Sequence, residues 1–152
     1  MSAKRTDARI ERLAMALNLE LSHGRPGASA RVEFHDRPGG RVALLTLRGW
    51  IEAVAVRRLT AALADLEKPR IDQLLLDCSA VRHIDYRQLP ALVAALARFE
   101  SRAAGLVVCG LSPYLRDLFR LAGCERSLRC WPSAQELLQS PAELEPSRER
   151  AS

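Results

Sequence analysis

Apolar residues recur at helical spacing near the start of the chain and change to alternation close to Ala30. Over Lys4 to Leu21, Ile10, Leu13, Ala14, Leu17 and Leu21 share one face while Arg5, Arg9, Arg12 and Glu20 lie largely elsewhere, which predicts an amphipathic helix. His23-Gly24-Arg25-Pro26-Gly27 then breaks the pattern. A helix of this length is marginal alone, so its stripe needs its own domain, a second subunit or another protein to cover it. From Ala30, Val32 and Phe34 alternate with Glu33 and His35. Arg37-Pro38-Gly39-Gly40 leads into Val42 to Leu47, giving a β-hairpin with a loop expected to exceed two residues. The second strand is almost continuously apolar, as in a strand covered on both faces, and Gly49 is expected to end it.

Strands and helices alternate beyond that point. A helix is predicted from about Ala53 to Leu66, with Val56, Leu59, Leu63 and Leu66 inward, and Pro69 stops it. A strand over Ile71 to Asp77 is followed by a loop and by a helix over Leu89 to Ala103 that buries Leu89, Leu92, Val93, Leu96 and Phe99. Leu106 to Gly110 is a short buried strand, and Ser112-Pro113 form an N-cap and first-turn pair for a helix that Gly123 ends. Leu128 to Trp131 fits an edge strand, and Ser133-Ala134-Gln135-Glu136 is a capping box for a last short helix. The order β-β-α-β-α-β-α-β-α, after an extra N-terminal helix, predicts an α/β fold with a mixed, mostly parallel sheet flanked by helices. The expected organisation is a helix and loop over 1–29, one domain over 30–139 and a polar, disordered tail over 140–152.

Composition narrows the function classes. A chain of 152 residues with 48% hydrophobic positions suits a single core, and with 5% aromatics that core is mainly aliphatic. No apolar run is long enough to span a bilayer, and the first 29 residues lack a signal-type apolar segment, so a cytoplasmic protein is expected. The net charge of +5 is spread among alternating acids and bases, without a basic stripe or interleaved aromatics for nucleic acid. Cys78, Cys109, Cys124 and Cys130 form no C-x-x-C pair or zinc spacing, so buried thiols are expected and no metal or cofactor. Cys78 and Cys109 end two predicted strands and could approach one another.

The most informative run is Asp77-Cys78-Ser79-Ala80-Val81-Arg82-His83-Ile84-Asp85-Tyr86-Arg87-Gln88-Leu89. It places two carboxylates after a buried strand, with Asp85 at a helix start where it can accept a backbone N–H. The run resembles the signature of the STAS domain, the fold of bacterial anti-sigma factor antagonists. The family pattern is Asp-x-Ser-x-Val-x-x-Ile-Asp-Ser-Ser/Thr-Gly-x-x-x-Leu, and its Ser after the second Asp is phosphorylated to switch partner binding. Here that slot reads Tyr86-Arg87-Gln88. Gly49-Trp50-Ile51-Glu52 and Gly110-Leu111-Ser112-Pro113 resemble two further family segments, so the likeness runs from about Val32 to Leu138.

The resemblance implies a non-catalytic protein-interaction module whose partner is an anti-sigma factor, a serine kinase or another STAS protein, with a homodimer also open. The loss of the acceptor Ser implies that serine phosphorylation at this site does not control it, because a phenol oxygen lies farther from the backbone than a kinase aimed at Ser expects. Alternatives are an accessory STAS subunit of an ABC-type lipid transport complex and a small-ligand-binding domain. Partner-binding candidates are Trp50, Glu52, Arg82, His83, Asp85, Tyr86, Arg87, Gln88 and Ser112. Trp50 fits an interface anchor or a core cap equally, Asp85 and Ser112 have plain capping roles, and the arginines could simply face water. No phosphate loop, H-E-x-x-H or nucleophile–base pair is present; Asp77 and Asp85 are the one carboxylate pair to weigh for catalysis, and the family pattern makes both structural.

Overall fold

The computed structural model describes residues 16–24, 27–102, 105–124, 130–131 and 138. In chain order these are β1 Ala16–Ser22, β2 Ala28–Arg37, β3 Gly40–Ile51, α1 Ala53–Leu66, β4 Gln73–Ile84, a 3-10 turn Tyr86–Gln88, α2 Leu89–Ala97, β5 Gly105–Cys109, α3 Pro113–Leu121 and β6 Cys130–Trp131. One sheet holds all six strands in sequence order. The pairs β1–β2 and β2–β3 are antiparallel, and β3–β4, β4–β5 and β5–β6 are parallel.

The expected N-terminal helix does not extend to Leu21. Its last residues, Ala16 to Leu21, are strand, paired from Ala16↔Glu33 to Glu20↔Ser29, while residues 1–15 lie outside the described residues. The segment Leu17-Asn18-Leu19-Glu20-Leu21 also alternates with period two, so both periods fit it. Pairing with the free edge of β2 satisfies its backbone and decides the outcome. Leu21 is buried in the core, Leu19 packs against it and Leu17 is exposed.

The hairpin is tighter than expected. Arg37 pairs with Gly40, which leaves only Pro38 and Gly39 in the loop, and the ring of Pro38 pre-sets one of the two loop torsions. The turn is tied to the start of β4 by Asp72, whose Oδ2 accepts the Arg41 N–H at 2.8 Å and whose N–H donates to the Arg41 carbonyl at 2.7 Å.

The three helices α1, α2 and α3 lie on one face of the sheet. Leu74, Leu76 and Cys78 of β4 share a cluster with Leu59 and Leu63 of α1, Leu92 and Leu96 of α2, and Leu115 and Phe119 of α3. The opposite face carries a smaller cluster, Val42, Leu44, Leu75, Val107 and Cys109, against which Leu138 packs. This explains the near-continuous apolar sequence of β3, whose two faces are both covered at its centre. It also sends Cys78 and Cys109 to opposite faces, so they do not approach. Cys124 is buried too, and desolvation pushes its thiol pKa up.

The helix boundaries mostly follow the expected stops. α1 spans the predicted residues, whereas α2 ends at Ala97 rather than Ala103. α3 starts with Ser112 Oγ accepting the Leu115 N–H at 3.1 Å and ends in a Schellman turn. In that turn Cys124 N–H donates to Phe119 at 2.8 Å and Gly123 N–H to Arg120 at 3.0 Å. The edge strand is present as Cys130–Trp131; the capping-box helix, apart from Leu138, and the tail lie outside the described residues.

Candidate functional site

β3 and β4 run on past the end of β5, and the candidate residues gather on this extension. β5 stops at Cys109, opposite Asp77, while β4 continues to Ile84. The stretch Cys78 to Ile84, expected to be a loop, is therefore strand, and Gly49 does not end β3. Two irregularities hid this from the sequence. Between Thr46↔Asp77 and Arg48↔Ala80, β4 takes three residues to two of β3. Between Gly49↔Val81 and Trp50↔His83, Arg82 is the extra residue with no register partner. Extra residues of this kind bend a strand and break its alternation. At the first, Asp77 Oδ1 accepts the Ser79 N–H at 3.0 Å. A Cβ at Gly110 would sit 2.9 Å from that same Ser79 nitrogen, so only glycine lets β5 exit past the bulge.

Gly49 fixes the second irregularity from the other strand. Its φ is +92°, and a Cβ there would lie 2.1 Å from the Gly27 carbonyl oxygen. That oxygen accepts the Trp50 N–H at 3.0 Å. Trp50 thus lies on a strand rather than on a loop, and its side chain is 40% exposed. It packs on His83, its register partner, with ring centroids 5.1 Å apart. His83 in turn stacks on Tyr114 at 5.8 Å, with Nδ1 2.5 Å from the Tyr114 hydroxyl. The three rings form a row across β3, β4 and the first turn of α3.

Asp85 closes the extension. Its N–H donates to Ile51 at 3.0 Å, its Oδ1 accepts the Arg87 N–H at 3.1 Å, and the Arg87 guanidinium lies 3.5 Å away. The carboxylate caps the 3-10 turn Tyr86–Gln88, and the regular helix starts afterwards at Leu89. Pro90 then falls in the first turn of α2, where a missing N–H costs nothing. Tyr86 projects from the turn, 54% exposed, while Gln88 is half-buried at the junction with α2.

Five of the nine candidates line two open clefts. Glu52, Asp85 and Arg87 line one of about 430 Å³ together with Ser22, His23 and Val54. Arg82 and Ser112 line another of about 660 Å³ with Arg48, Ser79 and Tyr114. Asp77, within β4, and Asp85, just past its end, weighed as a carboxylate pair, stand roughly 20 Å apart with the two bulges allowed for, and do not form one site. Among the described residues no cluster of three metal-type ligands occurs and no helix is long and apolar enough to cross a membrane.

Three residues that the sequence did not single out join the site: Tyr114, Arg48 and the exposed Val54. Tyr114 had a legible signal, since it follows the Ser112-Pro113 helix start; Arg48 and Val54 had none.

The fold and the motif geometry agree with the family likeness. The chain belongs to the STAS domain family, whose model matches residues 31–137. Among solved structures it is similar to an anti-sigma factor antagonist from Mycobacterium paratuberculosis, at TM-score 0.65 and 24% identity, covering 81% of this chain and all of the other. It is also similar to the anti-sigma factor antagonist SpoIIAA of Bacillus in its unphosphorylated form, at TM-score 0.55 and 16% identity, covering 70% of this chain and 92% of the other. A STAS domain protein from Planctomyces limnophilus matches at TM-score 0.53 and 16% identity, over 70% of this chain and 93% of its own. No curated protein sequence is similar enough to be matched.

Proposed function

We propose that this chain is a non-catalytic regulatory module that binds a protein partner through the extended end of β3 and β4. The observation that carries this reading is the exposure of Trp50, Tyr86 and Val54 around the capped Asp85, all on elements held by main-chain hydrogen bonds. Exposed aromatics beside a buffered charge suit an interface anchor, because the rigid scaffold leaves little ordering to be done on binding. Family membership supports a partner of the anti-sigma factor or serine-kinase type, in the cytoplasm. Tyr86 occupies the family's phosphoacceptor position, so the module works without serine phosphorylation there.

The test is a pull-down of the tagged full chain from its native lysate, read by mass spectrometry and repeated with Asp85→Lys. Charge reversal beside Arg87 is expected to weaken the partner about tenfold or more. The lost cap costs about 1 kcal/mol, which leaves the fold intact. Recovery of an anti-sigma factor or kinase, lost in the variant, supports the proposal. Recovery of an ABC ATPase instead makes the chain an assembly subunit and removes the regulatory reading.

A further inference from the structure

The second cleft, of about 660 Å³, is lined by two arginines, three hydroxyl side chains and no acid. Arg48 and Arg82 are both exposed, and among the described residues neither meets a carboxylate. By contrast, Arg31, Arg41, Arg87, Arg98 and Arg120 each sit within ion-pair distance of an Asp or Glu. Arg82 reaches the cleft because it is the extra residue of β4, and Arg48 stands on the neighbouring strand opposite Ala80. Ser79 and Ser112 add hydroxyl donors to the same wall, and Tyr114, whose hydroxyl meets His83 Nδ1, completes it.

We propose that this cleft binds the dianionic head of a phosphomonoester. Two guanidinium forks match two negative charges, and the hydroxyls can serve a third terminal oxygen. A carboxylate offers one charge and two oxygens, which would leave one arginine uncompensated. The open volume beyond the arginines accommodates the organic remainder, whether that is a small metabolite or the phosphorylated side chain of a peptide.

The test is amide chemical-shift mapping of the full chain titrated with phenyl phosphate, benzoate and a short phosphoserine peptide. Phenyl phosphate is expected to give saturable shifts centred on residues 79–82 and 112–114, and to bind about tenfold or more tightly than benzoate. Either Arg48→Gln or Arg82→Gln should weaken it about tenfold or more, the loss of one charge-assisted contact, while Arg57→Gln on α1 leaves it unchanged. Tighter binding of the peptide than of phenyl phosphate assigns the group to a phosphorylated partner, and equal or weaker binding assigns it to a small molecule; both support the site. Absent or diffuse shifts, equal binding of benzoate, or equal loss in Arg57→Gln would overturn it. No protein partner enters this experiment, so its failure leaves the Asp85 surface untouched.

Discussion

Gly49 shows how much one residue can hold in this fold. Its φ of +92° lies where an L side chain is strained, and the Gly27 carbonyl oxygen already occupies the space a Cβ would take. The same oxygen holds the Trp50 N–H, so a displaced loop also frees Trp50. Gly49→Ala should therefore destabilise by about 2 kcal/mol or more, from backbone strain and clash together, read as a lower urea midpoint with an unchanged slope. A midpoint like that of the parent would mean that the Gly27 carbonyl simply moves aside. Nothing at the sequence level announces this role: a glycine closing an apolar run reads as a strand end, because the carbonyl that requires it comes from Gly27, just before β2. The caps are the opposite case. Asp85 and Ser112 stand directly before their turns, and each accepts an N–H two or three residues on, a local relation that sequence spacing reveals.

Elements whose pattern is set by one buried face were legible; those shaped by their neighbours were not. α1 and α2 bury the residues their 3.6-residue period selects. β1 was misread because its five alternating residues fit a helical stripe as well, and only the free edge of β2 decides between them. β4 was read as half its length because two extra residues break its alternation exactly where the family motif lies. Ser112 gives a prediction at this scale. It lines the arginine cleft but is also the N-cap of α3, so Ser112→Ala should cost about 1 kcal/mol in thermal or chemical unfolding, and Ser112→Asp should restore most of it. Loss of stability without loss of binding to the regulatory partner would keep Ser112 as a cap and remove it from the interface. Loss of binding with full stability would reverse that assignment.

At the scale of the molecule, stability and recognition share strands but fall to different side chains. The core clusters lie under the helices and on the centre of the opposite face, between β3, β4 and β5. The extension of β3 and β4 past β5 buries Ile51, Val81 and Ile84 in the first of these, while in the aromatic row Trp50 beside Ile51 and Tyr114 beside Leu115 stay exposed. Its strands are held by the β3–β4 ladder, the Gly27–Trp50 bond and the Ile51–Asp85 bond, together with the burial of Ile51, Val81 and Ile84 in the core. Such an arrangement lets surface chemistry change without loss of the fold, which is consistent with a family motif whose scaffold is kept while its acceptor position reads Tyr86. It follows that truncating the row should separate the two properties. Trp50→Ala is expected to shift unfolding by less than about 1 kcal/mol, because the ring is 40% exposed and packs chiefly on His83. It should lower affinity for the regulatory partner by about 30-fold, the range of an aromatic anchor. Calorimetric titration of parent and variant, beside denaturant curves for both, makes the comparison. Equal affinities would place the interface off the row, and a large stability loss would make Trp50 a cap of the core.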